Sequence, residues 1–251
     1  MITIARLTVY PIKSLDGLDL AEARVLASGA LRHDRRYAFR DADDKTVNAK
    51  RTAAIQRLRS EFRPDAAAVR LQHQGASSDW LELPDQREEA AAWAGERLGQ
   101  ACTLDENPSR GFPDDTDAPG PTLISTASLA AIAAWFDLPV DEARRRLRAN
   151  IEIDARSAFW EDRLAGREFM LGTIRFAATG VCQRCAVPVR DSLTGETTAG
   201  FQKRFAKQRE AELPAESPRT AFDHYYRAAI NTRLTGVPAT LRVGDAVEIA
   251  E

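Results

Sequence analysis

The chain has 251 residues, 44% of them hydrophobic, enough for one large domain or two modest ones with proper cores. Its 35 Lys and Arg nearly balance 37 Asp and Glu, a formal net charge of -2, which excludes a global attraction to nucleic acid or an acidic membrane surface. No apolar run approaches the roughly 20 residues that span a bilayer, and three cysteines, an odd number, argue against a disulfide framework.

The opening "MITIARLTVYPIKS" lacks a basic segment followed by an apolar one and alternates like a strand up to Pro11, so a cytoplasmic protein is expected. "ARVL" and "RRYAFRD" read as further strands, the second running into an acidic turn, "DADDK". "SEFRPD", "AAVRLQHQ" and "DWLELP" continue the pattern. Short, closely spaced strands favour a barrel or sandwich over a parallel sheet. One helix is predicted over 86–98, with early acidic residues and a glycine after its end. Residues 105–121, "DENPSRGFPDDTDAPGP", are rich in Pro, Gly and Asp and read as a linker or long surface loop.

In "LISTASLAAIAAWF", Ser125 or Thr126 can cap a helix that carries Leu129, Ile132, Ala133 and Phe136 at helical spacing. "PVDEARRRLR" is a second helix from Pro139, with Asp141 and Glu142 in its first turn. Strands then return in "NIEID", "REFML", "TIRFAATG", "CAVPVR" and "TLRVGDAVEIA", the last with a turn at Gly244-Asp245. There is no internal repeat. The expected class is mostly β with peripheral helices.

Cys182 and Cys185 are three residues apart in "VCQRCAVPVRDSLTG". A thioredoxin-like pair would open a helix in a βαβ pattern, whereas a strand-like run follows here. Structural zinc takes about four ligands, and the other candidates, Cys102, His33, His73 and His224, have no ligand spacing. A thiolate for a heavier metal and plain buried sulfur both remain open. Donors recur at the ends of regular elements, where loops converge to form sites. They are Lys13-Ser14 in "YPIKS", Arg35 and Arg36 in "HDRRYAF", Arg148 and Asn150 in "RLRANIEI", and Arg184.

The combination resembles the MOSC domain proteins, related to the C-terminal domain of molybdenum cofactor sulfurase. More narrowly, it resembles members with an N-terminal MOSC β-barrel, such as the mitochondrial amidoxime reducing component. "VYPIKSLDGLDLAEARVLASGALRHDRRYAF", "LISTASLAAI", "RLRANIEID", "CQRCAVPVRDSLTG" and "LRVGDAVEI" follow the family's motifs in order, the last as a terminal hairpin. The resemblance implies an N-terminal MOSC β-barrel domain over 1–105, a linker or long loop over 106–122, and a MOSC domain over 123–251, with strands able to cross between the two. It also implies a molybdenum–molybdopterin cofactor with one protein thiolate on the metal, the soft donor such a metal takes. That thiolate aligns with Cys185, and Arg184 beside it would favour the ionised sulfur.

On the same resemblance, Lys13, Ser14 and Arg35 match positions that bind the cofactor phosphate, and Arg148 and Asn150 match positions lining the pocket. Ser125, Thr126 and Ser128 lie near the matching helix start. An arginine expected after a short strand falls at Lys50 or Arg51, with Arg51 taken into the cofactor set. Asp191 is a candidate proton donor or orienting residue. The family's T-T-V-D-P run is here Pro188-Val189-Arg190-Asp191-Ser192, and nothing is carried over to "FDHYYRAAINTRLTG".

The implied activity is reduction of small N-hydroxylated substrates, such as hydroxylamines, amidoximes or N-hydroxy bases. No iron–sulfur cysteine pattern is present, so electrons are expected from a separate ferredoxin, flavoprotein or cytochrome. Alternatives are a sulfur carrier with a persulfide on Cys185 and Cys182 as resolving thiol, or a non-catalytic cofactor carrier. Pyridoxal phosphate binding is a family-level association only. No nucleic-acid or membrane partner is expected.

Overall fold

A computed structural model describes residues 1–250. The first part runs β1 (Ile4–Val9), β2 (Leu18–Leu20), β3 (Glu22–Arg24), β4 (Tyr37–Asp41), β5 (Arg59–Phe62), β6 (Ala68–His73), β7 (Ala76–Ser77), β8 (Leu81–Glu82), α1 (Arg87–Leu98) and β9 (Cys102–Glu106). The second runs β10 (Leu123–Ser125), α2 (Thr126–Trp135), α3 (Val140–Leu147), β11 (Ile151–Ile153), β12 (Glu168–Leu171), β13 (Ile174–Gln183), α4 (Phe201–Ala211), β14 (Arg227–Leu234), β15 (Thr240–Arg242) and β16 (Val247–Ile249). The class is mostly β with peripheral helices, as the strand patterning implies.

The largest sheet has eight strands in the order β16-β12-β13-β14-β10-β11-β1-β2. Only β10 and β11 pair in parallel, and α2 and α3 supply the crossover that a parallel step needs. The start of β1 returns to the far edge of the sheet. There Ile4 N–H donates to the Asp245 carbonyl at 2.9 Å and Val247 N–H to the Ile2 carbonyl at 2.9 Å, around a Thr3–Ala246 bridge. These bonds close the sheet into a barrel, which removes its open edge. Leu7, Val9, Leu123, Ile151, Phe169, Phe176 and Ile230 fill its interior.

The rest of the first hundred residues forms a second body. Here β4 pairs with β9 and β5 with β6, and α1 packs over Ile12, Tyr37, Phe39, Ile55, Leu71 and Leu104. The boundary near residue 105 does not divide the sheets. β1 and β2 belong to the barrel of the second half, and β3 pairs with β15.

Local signals place α1, α2 and α3 where the sequence predicts them. Gly99 takes the left-handed position after α1, and Ser125 caps α2 by accepting from the Ser128 N–H at 3.1 Å. Three elements differ from expectation. "CAVPVR" is a tight turn rather than a strand, because β13 ends at Gln183 and Pro188 offers no N–H to a ladder. The terminal strands are not a hairpin. β15 pairs with β3 and β16 with β12, because the start of β1 inserts at the Gly244-Asp245 turn. Helix α4 has no counterpart in the sequence reading, since only Phe201 and Phe205 mark its apolar face amid charged residues.

Candidate functional site

The main cavity is a cleft of about 1120 Å³ where the ends of β13 and β14, the end of α3, the loop after β1 and residues 113–120 converge. Twelve Lys and Arg side chains line it against seven Asp. This is the local cation concentration that a near-neutral chain needs in order to hold an anion.

Seven of the predicted site residues meet on this cleft: Lys13, Ser14, Arg35, Arg148, Asn150, Arg184 and Cys185. The loop after β1 is stitched to the start of β4 through Arg35 N–H to the Tyr10 carbonyl, Tyr37 N–H to Pro11 and Lys13 N–H to Tyr37, at 2.8, 2.9 and 2.8 Å. That ladder holds Lys13, Ser14 and Arg35 side by side. Burial pushes the Lys13 ammonium below its usual value, and Asp114 works against that shift. Arg35 is anchored by Asp34, and its guanidinium lies 5.4 Å from the Tyr10 ring centre.

Ser14, Arg35 and Arg148 all hold positive φ, at 73°, 47° and 55°. A non-glycine side chain in the left-handed region costs roughly 1–3 kcal/mol and gathers at functional sites. Arg148 ends α3 in that conformation, stacks 4.0 Å from the Tyr10 centroid and donates to the Leu15 carbonyl at 2.7 Å. Its Nη2, like Arg184 Nε, is buried with no protein acceptor. Buried guanidinium donors left open on a cleft wall suit an acceptor-rich ligand.

Asn150 is 2% exposed and its amide is committed within the protein. Nδ2 donates to the Thr8 carbonyl and Asp34 Oδ1, both at 3.0 Å, and Oδ1 accepts from Thr122 N–H at 3.2 Å. It therefore ties β1, the Asp34-Arg35 turn and the start of β10 together beneath the cleft.

Both Cys182 and Cys185 face the cleft. The Cys185 turn is fixed by Arg184 N–H to the Tyr226 carbonyl and by Tyr226 hydroxyl to the Cys185 carbonyl, each at 3.1 Å, while Val187 N–H points at Cys185 Sγ from 3.5 Å. The Arg184 guanidinium departs from expectation. Its Nη1 lies 3.4 Å from Cys182 Sγ and its Nη2 donates to the Leu147 carbonyl at 2.5 Å. At a strand end, neighbouring side chains point opposite ways, so Arg184 reaches the sulfur two residues back. Register shifts in β13 beside these residues re-aim the chain at that point.

Four predicted residues lie elsewhere. Arg51 points to the Thr46 carbonyl and Asp41, at 3.3 and 3.5 Å, and Lys50 is the neighbour that lines the cleft. Ser125 is fully buried, 2.7 Å from the Ser128 hydroxyl, and Thr126 opens α2 away from the cleft. Asp191 forms a turn, with Oδ1 accepting from Leu193 and Thr194 N–H at 2.9 Å each. Partial burial opposes its ionisation, but those N–H groups and Arg146 outweigh it and hold the carboxyl below the usual range. That makes Asp191 a poor proton donor at neutral pH.

The structure adds residues the sequence reading passed over. Arg227, Asn231 and Arg233 of β14 and Asp114 of the long loop all reach the cleft. The β14 set has the period-two spacing of one strand face, the one signal available. Asp114 carries none.

Among the described residues no group of three or more His, Cys, Asp or Glu could hold a metal ion. No helix among them is long and apolar enough to cross a membrane.

Residues 1–107 match the MOSC N-terminal beta barrel domain and residues 121–248 match the MOSC domain. The chain is 25% identical over 222 residues to the molybdenum cofactor sulfurase of Drosophila melanogaster, covering 77% of this chain and 28% of that protein. The sulfurase of Drosophila persimilis is 25% identical over 238 residues, covering 77% and 29%. The chain thus spans less than a third of the length of these relatives. The crystal structure of the YuaD protein from Bacillus subtilis covers 99% of this chain and 96% of its own at 10% identity, with a TM-score of 0.43. With both matches in the order the motifs follow along the chain, and the second alone covering residues 121–248, the chain belongs to the MOSC domain family.

Proposed function

We propose that the protein binds a molybdenum–molybdopterin cofactor in the cleft and reduces small N-hydroxylated substrates with electrons from a separate redox protein. One observation carries the reading. Lys13, Ser14, Arg35 and the open donors of Arg148 and Arg184 share a single cleft with the Cys185 thiol. That donor set fits a phosphate ester at one end, a flat acceptor-rich heterocycle along the wall and a soft metal at the sulfur. The curated relatives named above are sulfurases of the same cofactor, which supports the ligand class.

When bound, the cofactor supplies the two-electron chemistry that turns an N–OH group into N–H, with the oxygen leaving as water. The chain's part is binding and orientation. Lys13 and Arg35 neutralise the phosphate, Arg148 lies flat on Tyr10, and Tyr226 holds the Cys185 turn through the carbonyl. Asn150 keeps these loops in register.

The test is elemental analysis with pterin fluorescence after acid oxidation, on protein made in a host that synthesises the cofactor. Close to one molybdenum and one pterin per chain is expected, with oxidation of a reduced dye only when a hydroxylamine is present. Folded protein with sulfane sulfur and no molybdenum would overturn the reading. Molybdenum without dye oxidation would reduce it to a carrier.

Lys13→Ala should weaken cofactor retention about tenfold or more, since hydrogen bonds to charged groups are worth roughly 1.5–3 kcal/mol. The melting midpoint should move little. A collapsed midpoint at unchanged cofactor affinity would make Lys13 a structural residue.

A further inference from the structure

Residues 113–120 line one side of the cleft as a strap fixed at both ends. At one end Phe112 N–H donates to the Arg35 carbonyl at 2.8 Å, and the Arg40 guanidinium lies 5.2 Å from the Phe112 ring centre. Gly111 just before it holds φ +64°, and a Cβ there would stand 2.4 Å from the Asp34 carbonyl oxygen. At the other end Gly120 N–H donates to the Thr232 carbonyl at 3.0 Å, and a Cβ on Gly120 would stand 2.4 Å from Thr232 Oγ1. Both anchors are close backbone approaches that only glycine permits.

Between the anchors the strap is held by polar contacts. Lys13 Nζ donates to the Phe112 carbonyl at 2.7 Å and to the Pro113 carbonyl at 3.2 Å, and pairs with Asp114 Oδ1 at 3.0 Å. The strap thus gives Lys13 as many acceptors as an ammonium has N–H donors. Lys50 Nζ approaches the same Asp114 oxygen at 3.5 Å. Asp115 ties the far side, where its Oδ2 accepts from Asn231 Nδ2 of β14 at 3.3 Å. The Asp114 side chain is about half exposed (54%), whereas Lys13 is only 12% exposed. The lysine is part of the wall and the carboxylate sits on it from outside.

An anion cannot hydrogen-bond to Lys13 in this arrangement unless the strap gives up an acceptor. We propose that the strap is a gate on the cleft, with Asp114 as an internal anion that a phosphate-bearing ligand displaces from Lys13 and Lys50. The inference rests on the cleft taking an anionic ligand, as proposed above, and is independent of molybdenum. The gate costs the ligand some affinity and excludes weaker anions, because only a group that pairs better than a carboxylate opens it.

Titration of the metal-free protein with inorganic phosphate at low ionic strength tests this, in the wild type and in Asp114→Asn, Lys13→Ala and Asp43→Asn. Asp43 is a remote acid, 75% exposed, and controls for net charge. Asp114→Asn should bind phosphate about three- to tenfold more tightly, the scale of one or two part-exposed ion pairs, and Asp43→Asn should match the wild type. In the wild type, phosphate should speed hydrogen exchange of the amides of 114–118, the residues between Pro113 and Pro119. If Lys13→Ala loses phosphate while Asp114→Asn behaves as wild type, the gate is wrong and the anion site stands. An equal gain in Asp43→Asn, or unchanged exchange with phosphate bound, also overturns the gate. If Lys13→Ala binds like the wild type, or neither wild type nor Asp114→Asn binds, the anion-site reading fails and the gate with it.

Discussion

Cys185→Ser is expected to leave the purified protein without molybdenum, while Cys182→Ser keeps it. A serine hydroxyl is a hard oxygen donor and a poor replacement for the thiolate a sulfur-bound metal takes. Even partners behind a metal ligand are worth about 10–100-fold in affinity, so loss of the ligand itself should drop metal content by more than about tenfold. The comparison matters because both cysteines line the cleft and the Arg184 guanidinium lies on Cys182, not Cys185. Cys185 is favoured by its mount, a turn held at its carbonyl by the Tyr226 hydroxyl and met at its sulfur by Val187 N–H. If Cys182→Ser alone loses the metal, the ligand is the cysteine that Arg184 touches.

The second large effect is on stability, and it reaches the same turn. Arg209→Ala should destabilise the protein by about 3–5 kcal/mol at neutral pH, lowering the melting midpoint by roughly 6–20 °C. Arg209 is fully buried, stacked 3.9 Å from the Phe159 centroid and 4.9 Å from that of Phe222, and pairs with Asp162, itself 1% exposed. Ser217 adds a hydrogen bond to the same carboxylate at 2.6 Å. Burial raises the Asp162 carboxyl above its usual value even with Arg209 present, and without that cation it rises further. A raised folded-state value means stability that is present at low pH and lost as pH rises through it. The gap between variant and wild type should therefore be widest at neutral pH and shrink on acidification.

Replacing both partners by Arg209→Met and Asp162→Leu should recover much of the loss, since no buried charge is then left alone. A single-variant cost below about 1 kcal/mol would show that Asp162 is not left as an uncompensated buried charge, and would overturn this account of the pair. Phe159, Phe205 and Tyr226 share the cluster beside Arg209, so loss of the pair should also loosen the Cys185 turn.

How much of this was legible beforehand follows from what is local. Ser125 caps α2 and Gly99 ends α1 because capping is decided within a turn of the chain. The mostly β class follows from short alternating runs, and the cations at element ends were visible because loops converge there. Lys13, Ser14, Arg35, Arg148 and Arg184 do meet on one cleft.

What the chain could not disclose by itself depends on partners distant in sequence or on the direction of one side chain. β1 closes the barrel against residues 245–247, more than two hundred positions away, and nothing in "ITIARL" names that partner. Lys50 rather than Arg51 faces the cleft because adjacent residues diverge, and the strength of the motif is the same for both. Arg184 lies on Cys182 for the same reason. The strap reads as an idle loop because Asp114 has meaning only opposite Lys13, about a hundred residues earlier. Periodicity and capping belonged to the sequence alone; pairing, pointing and the electrostatics of the cleft were decided only when the chain folded.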